Sequence, residues 1–254
     1  MKFISDKLWC ELKNVFSTKK TKVGRPEFDN RVALEGVIYV LYTGCRWKAL
    51  PEKYGCSSTV HGKFMRWCNM KIFKKMMIKS REYYRKRNSK NNWYALDTVV
   101  SKAPFAKFAG KNPTDRAKNG IKEAILVDRK GAPLFLHVAP ANVHDSKLLD
   151  PIIQQLHKSK NVRIVAADSA FDAKQLYSFC REKNIALIAS INPRRKKDIH
   201  IFHAPYRWVV EQTFGILSWF RGLKFCCNKL IEARVALLQL ACSYRLFKMA
   251  GIFG

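Results

Sequence analysis

Acidic residues are what this sequence has least of. Only 19 Asp+Glu stand against 48 Lys+Arg in 254 residues, for a formal charge of +29. A field of that sign calls for a polyanion, nucleic acid first and an anionic membrane second. A second absence bears on the membrane: no apolar run approaches the roughly 18–20 residues of a spanning helix. The opening MKFISDKLWCELKNVF also scatters charges where a secretory signal would carry an apolar stretch. A third absence is close cysteine spacing. The eight cysteines, at 10, 45, 56, 68, 180, 226, 227 and 242, include no C-x-x-C pair. That argues against zinc and for reduced, mostly buried thiols in a cytoplasmic protein. Nor is there an internal repeat. What is present is 48% hydrophobic and 26% charged residues, the balance of a globular protein with one large domain or two modest ones.

The charge is spread over both halves. Residues 1–90 hold 22 basic and 7 acidic residues, the remainder 26 and 12, so both parts should face the same polyanion. The first ninety residues read helical. Ser5 and Asp6 can cap a helix carrying Leu8, Trp9, Leu12 and Val15 on one face. The basic stretch Lys19 to Pro26 reads as loop, and Asn30 to Thr43 as a helix stopped by Gly44. Trp47 to Tyr54 and Ser58 to Trp67, joined across Gly55-Cys56-Ser57, have the pattern of a helix-turn-helix. The second helix offers Ser58, Thr59, His61, Lys63 and Arg66 to groove and phosphate, with Lys48 in the segment before it. A packed helical pair without DNA contacts is the alternative. A basic amphipathic helix over 71–91 leads to a domain junction near Asn88 to Asn92.

From Trp93 the character changes. WYALDTVV, IKEAILVD and PLFLHVAPAN read as strands, the last two joined as a hairpin through Arg129-Lys130-Gly131. Helix LLDPIIQQLHKS, strand VRIVAADS, helix AKQLYSFCREKN, strand IALIASI, a helix from Tyr206 to Leu223 and a final apolar helix near Ile231 to Met249 follow. Three strands and then β-α alternation predict a mixed sheet with helices on its faces. The expected partition is a helical domain over 1–90 and an α/β domain over 91–254 that includes the last helix.

In so basic a chain the acids are informative. Asp97 sits in or just beyond an apolar strand, where a carboxylate is costly unless paired or metal-bound. Asp168 ends a buried-looking strand, the end at which open α/β sheets place ligands. Glu211 falls on the polar side of the Tyr206–Leu223 helix, one turn after Arg207. Three such acids could hold two divalent cations about 3.5–4 Å apart for phosphodiester chemistry. Taken singly they read as a turn acid, a helix N-cap and a surface partner of Arg207.

The segments LDTVVSKAP, GKNPTDRAKNGIKEAILVDRKGAPLFLHVAPANVHDSKLL, AADSAFDAKQL and YRWVVEQTFGILSWFRGL resemble the DDE transposases of bacterial insertion sequences, in the IS5 group of the IS4-like class. The stretch GRPEFDNRVALEGVIYVLYTGCRWKALPEKYGCSSTVHGKFMRW resembles the helical DNA-binding region of the same group. The likeness spans about residues 5–225. It implies an RNase H-like mixed-sheet catalytic core preceded by an all-helical, helix-turn-helix DNA-binding domain. It implies cutting and joining of transposon ends dependent on two Mg²⁺ ions, with Mn²⁺ as substitute, and places Asp97, Asp168 and Glu211 on the catalytic, metal-binding triad. Double-stranded DNA is the implied partner, and joining two ends in one event implies at least a homodimer on DNA, with no membrane role. The sequence departs from the family where Val99 follows Thr98, where Gln212 follows Glu211, and where Ser218 takes a basic position seven residues after the Glu. Asp168 and Glu211 are only 43 positions apart, so no large domain is inserted there. A domesticated DNA-binding regulator that never cuts is the alternative on the same scaffold.

Further residues follow from these readings. Lys111, Arg116, Lys118 and Lys122 in the loop 110–122 are expected phosphate contacts, as is Arg207. His144 and Asp145 are read as a structural pair with Asn142. Trp208, Trp219 and Phe220 are read as core, and Arg194 to Lys197 as a solvated run or the lining of a DNA channel.

Overall fold

The computed structural model describes residues 3–16, 27–88, 92–156, 163–191 and 205–252. The basic stretch Lys19 to Pro26 and the run Arg194 to Lys197 lie outside the described residues. The chain divides into two compact units. One gathers Met1–Asn88, Ser218–Phe225 and Glu232–Gly254; the other gathers Ser89–Leu217 and Cys226–Ile231.

In the first unit α1 (Asp6–Phe16) starts where the Leu8 amide donates to the Ser5 hydroxyl. For α2 (Asn30–Thr43), the Asp29 carboxylate accepts the amides of Arg31 and Val32 at 2.7 and 2.9 Å, satisfying first-turn donors. The helix ends at Gly44, whose φ of 71° suits the left-handed turn. The expected helix over Trp47 to Tyr54 is not one. Pro51 has no amide to donate and disfavours helical backbone at Leu50, so only two 3₁₀ turns form, Trp47–Ala49 and Glu52–Tyr54. The second helix of that pair is present as α3 (Ser57–Asn69), followed by α4 (Ile72–Arg87). The core between them is aromatic, with Phe16 edge-on to Trp67 at 4.8 Å and Phe73 against Phe16, Phe64 and Trp67.

The second unit is a mixed sheet. Its strands are β1 (Trp93–Lys102), β2 (Gly110–Lys111), β3 (Asn119–Asp128), β4 (Pro133–Pro140), β5 (Arg163–Ala167) and β6 (Ile185–Ala189). The order β4-β3-β1-β5-β6 has β1 antiparallel to β3 and β3 antiparallel to β4, with β5 and β6 parallel to β1; β2 pairs the start of β3. The hairpin forms at the expected place. Gly131 takes φ 73°, and the Asp128 carboxylate accepts the amides of Lys130 and Ala132. Helices α5 (Ser146–Leu156), α6 (Lys174–Glu182) and α7 (Trp208–Leu217) complete this unit.

Two expectations fail at the C-terminal end. The helix from Tyr206 stops at Leu217, and Arg221–Leu223 is a 3₁₀ turn in the first unit. That turn lies so close to α2 that a Cβ on Gly222 would stand 2.9 Å from the Leu41 carbonyl oxygen. Its carbonyls are held by Arg234, fully buried, which donates to Leu223 O at 2.8 Å and Gly222 O at 3.4 Å. Arg234 belongs to α8 (Ile231–Met249), and from Glu232 onward this helix is part of the first unit, not the α/β unit. With Ala236, Leu237, Leu238, Cys242 and Leu246 all buried, α8 hides apolar side chains on most of its circumference and needs cover on several sides. Phe247 meets Tyr83 of α4, and Arg87 donates to the Ala250 carbonyl.

Replacing Arg234 by Met keeps most of the aliphatic stem but leaves two carbonyls without their donor. We expect a loss of about 2–3 kcal/mol in urea unfolding; an unchanged midpoint would show that the 3₁₀ turn does not depend on it.

Candidate active site

The two aspartates are brought together by strand register. On the parallel pair β1 and β5, Ala95 lies opposite Ala166. Two residues on along each strand direction stand Asp97, midway along β1, and Asp168, just past the end of β5, on neighbouring strands about 4.8 Å apart. Glu211 lies in the first turn of α7. Arg207, just before that helix, joins all three. Its Nη1 donates to Asp168 Oδ1 at 3.1 Å, and its Nη2 reaches Asp97 Oδ2 at 3.4 Å and Glu211 Oε1 at 3.5 Å. Burial is graded across the trio: the side chains of Asp97, Asp168 and Glu211 are 17%, 42% and 61% exposed.

Burial of Asp97 pushes its carboxyl above the usual range. The Thr98 amide, donating to Oδ1 at 2.7 Å, and the Arg207 charge oppose that shift, while the Asp168 charge adds to it. The donor set is all carboxylate oxygen, the chemistry hard divalent cations take, and it already surrounds one cation. Among the described residues no three His, Cys, Asp or Glu side chains stand in metal-binding geometry; Asp97 and Glu211 meet one terminal nitrogen of Arg207 and Asp168 the other. Asp97, Asp168 and Glu211 therefore fit a metal by chemistry and are placed here around Arg207.

Arg207 was expected at phosphate and sits on the acids instead. Lys122 is also redirected. Thr98 points to the opposite face of β1 from Asp97, and there its hydroxyl donates to Asp145 Oδ1 at 2.9 Å. Lys122 is buried against the same oxygen at 3.0 Å and donates to Val143 O. Asp145 thus pairs with Thr98 and Lys122 and not with Asn142, while His144 Nδ1 meets the Ser146 hydroxyl. Lys111, Arg116 and Lys118 are exposed, with Lys118 3.7 Å from Asp115. They cluster where β2 pairs the start of β3, opposite Lys102, and Asp97 lies five residues back along β1, about 16 Å at strand rise. They do not join the acids.

In the first unit Ser58, Thr59, His61 and Arg66 form the open face of α3, and Lys48 is exposed on its 3₁₀ turn. Lys63 is not on that face. It is buried beside Trp67, its ammonium paired to Glu27 at 2.9 Å and to Asn30, so it is a structural residue. Trp208 and Trp219 are 59% and 74% exposed, contrary to a core role, while Phe220 is buried. All eight cysteines are free, but Cys10, Cys56 and Cys227 are exposed. Burial pushes the Cys68 and Cys180 thiols up to about 12.

The reading of the sequence missed the residues that aim α7. Tyr206, at φ 61°, is held edge-on to Trp93 at 5.1 Å with the Arg129 guanidinium over its ring at 4.6 Å. Thr213 adds a hydroxyl bond to Gly131 O at 3.1 Å. The aromatic at the very start of β1 and the Tyr-Arg pair were the available signals.

A carboxyl whose pKa is raised on folding holds its proton more tightly in the native state. Its ionisation therefore costs stability as pH rises through the folded value. Asp97→Asn removes that cost, so it should melt higher than the parent protein at neutral pH, the gap closing as pH falls through the carboxylate range. A gap that stays constant with pH would show that Asp97 is not a desolvated acid.

Residues 93–246 match the family described as "Transposase DDE domain", and residues 4–77 match "Putative transposase of IS4/5 family". Over 141 residues the chain is 32% identical to "Putative transposase for insertion sequence element IS402" of Burkholderia cepacia, covering 52% of this chain and 65% of that protein. Over 132 residues it is 29% identical to "Transposase for insertion sequence element IS1106" of Neisseria meningitidis serogroup B, covering 47% and 42%. It thus spans less than two thirds of either relative. Among solved structures, it is similar to a piggyBac transposase synaptic complex with hairpin DNA, at a TM-score of 0.51 and 10% identity over 98% of this chain and 72% of that one. That likeness is one of fold, and the mixed sheet is RNase H-like. With a match running from the first strand of the sheet, through all three acids, into the last helix, the chain belongs to the transposase DDE domain family.

Proposed function

We propose that this protein is a DNA transposase that binds the terminal inverted repeats of an insertion sequence and carries out strand cleavage and strand transfer with Asp97, Asp168 and Glu211. The observation that carries the reading is the convergence of three carboxylates, one from within β1, one just past the end of β5 and one from α7, on a single cation. Two Mg²⁺ ions, replaceable by Mn²⁺, would activate the attacking oxygen and stabilise the leaving one. The chain's own part is to hold the carboxylates. Strand register fixes Asp97 and Asp168, while the Tyr206 anchor sets the start of α7 and so the reach of Glu211. A charge of +29 supplies the attraction to duplex DNA. Joining two ends in one event calls for at least a dimer on DNA, acting in the cytoplasm.

The open face of α3 is assigned to the major groove. Arg66→Ala should weaken end binding by about 1–3 kcal/mol. Lys63→Ala should instead lower the melting temperature, because its ammonium is spent on Glu27 and Asn30. Equal loss of binding by both variants, with neither destabilised, would put DNA on the wrong side of α3.

The deciding assay incubates the full chain with duplex terminal repeats and Mg²⁺. Asp97→Asn, Asp168→Asn and Glu211→Gln should each bind the ends as the parent does and lose nicking and strand transfer by several orders of magnitude. Normal cutting by Glu211→Gln would remove Glu211 from the site. A parent protein that binds ends yet never nicks them with Mg²⁺ or Mn²⁺ is a DNA-binding regulator on this scaffold.

A further inference from the structure

Arg207 does not have the environment of a permanently seated arginine. Its two terminal nitrogens serve three carboxylates at 3.1, 3.4 and 3.5 Å, whereas charge-assisted pairs close to roughly 2.7–2.9 Å and prefer the two-pronged fork. Its Nε is buried with no hydrogen-bond partner. Arg234 makes the contrast: fully buried, it closes on a carbonyl at 2.8 Å. Arg207 is shared among three acids, loosely bonded to each, and retains 20% exposure on the side chain.

Without a cation, the trio would bring three negative charges together at one end of the sheet. The guanidinium neutralises part of that charge and spaces the acids around itself. It cannot stay there if a small dication is to be bound, because the carboxylate oxygens facing Arg207 are the ones a metal requires. We propose that Arg207 is an exchangeable resident cation: it holds Asp97, Asp168 and Glu211 together in the metal-free protein, excludes divalent metal while seated, and is drawn out by a DNA phosphate as metal enters. This rests on the three acids being a metal site. It deepens that reading, since it makes metal affinity depend on substrate.

The arrangement permits the exchange without moving the fold. Tyr206 is pinned between Trp93 and Arg129, so the backbone at Arg207 stays put and only its side chain needs to rotate. Because Arg207 lies one turn before Glu211, the released guanidinium remains beside the acids, where a phosphate bound at the metals would meet it. A seat occupied by Arg207 lowers apparent metal affinity by the fraction of time it is filled. By linkage, whatever phosphate does for metal binding, metal does equally for phosphate binding.

The test is Mn²⁺ binding to the full chain, read from the electron paramagnetic resonance of free Mn²⁺, with and without a short duplex. The parent protein should bind weakly alone and about tenfold or more tightly with duplex. Arg207→Gln should bind about tenfold more tightly than the parent without DNA, and gain little when duplex is added. Millimolar methylguanidinium should compete with Mn²⁺ in Arg207→Ala, an effect that a merely structural role would not produce. Arg207→Gln binding Mn²⁺ no tighter than the parent, while Asp168→Asn abolishes binding, overturns the exchange and leaves the metal site intact. If adding Asp168→Asn to Arg207→Gln leaves Mn²⁺ affinity unchanged, the three-acid site itself is wrong, and the exchange falls with it. A measurement on the parent avoids any folding defect. The side-chain Nε resonance of Arg207 should move to a solvent-exposed position as Mg²⁺ is added, and a resonance unmoved at saturating Mg²⁺ refutes release.

Discussion

Carboxylates repel one another at short range, and holding three of them at one point is the constraint from which the α/β unit takes its layout. Parallel pairing of β1 with β5 puts Asp97 and Asp168 a strand spacing apart whatever their mutual repulsion, because the backbone ladder fixes the register. An antiparallel β5 would have pointed its C-terminal end, and Asp168 with it, toward the other edge of the sheet. The third acid comes from a helix, where it can be aimed. The aromatic and cation contacts of Tyr206, with the Thr213 hydroxyl on Gly131, tie α7 to β1 and to the β3–β4 turn.

The chain is also sparing with acids, 19 in 254 residues. Several of the described acids outside the trio do structural work: Asp29 caps α2, Asp128 closes the hairpin, Glu27 seats Lys63, and Asp145 joins Lys122 to Thr98. Basic side chains consumed in such pairs contribute to net charge without being free to meet phosphate. The charge available to any polyanion is therefore smaller than the count suggests.

Much of this was legible in the sequence. The five longer strands, the hairpin at Gly131 and the Gly44 stop follow from local pattern, an apolar run or a turn residue, whereas β2 falls in what reads as a loop. The three acids stand out singly by position and are joined only through the resemblance to the DDE transposases. What was not legible depended on partners distant in sequence. Lys63 looks like Arg66 on a helical wheel, and only Glu27 and Asn30 make one structural and leave the other open. The stretch from Trp208 to Leu223 has helical periodicity throughout, yet ends at Leu217 because Gly222 fits against Leu41 and Arg234 takes the carbonyls. The last helix follows the α/β sequence directly and packs in the helical unit, since its apolar circumference needs burial that chain order does not announce. Arg207 was marked as a cation near Glu211, one turn away, but that it reaches all three acids is a fact of tertiary structure.

The graded burial of the trio completes the argument. Asp97, the most buried, sits inside a continuous strand, paired there with Ile125 of β3, and has little freedom to adapt. Glu211, the most exposed, is on a longer side chain in the first turn of α7 and has the freedom to follow the cation it faces. One rigid and one compliant carboxylate close here on a planar guanidinium, and in the proposed function they would close on smaller spherical ions. Rigidity is placed where desolvation is already being borne, and adaptability where water can make up the difference. A glutamate in the strand and an aspartate on the helix would reverse this, with the long side chain buried and the short one unable to reach, which is a physical reason for the order in which these three residue types occur along the chain.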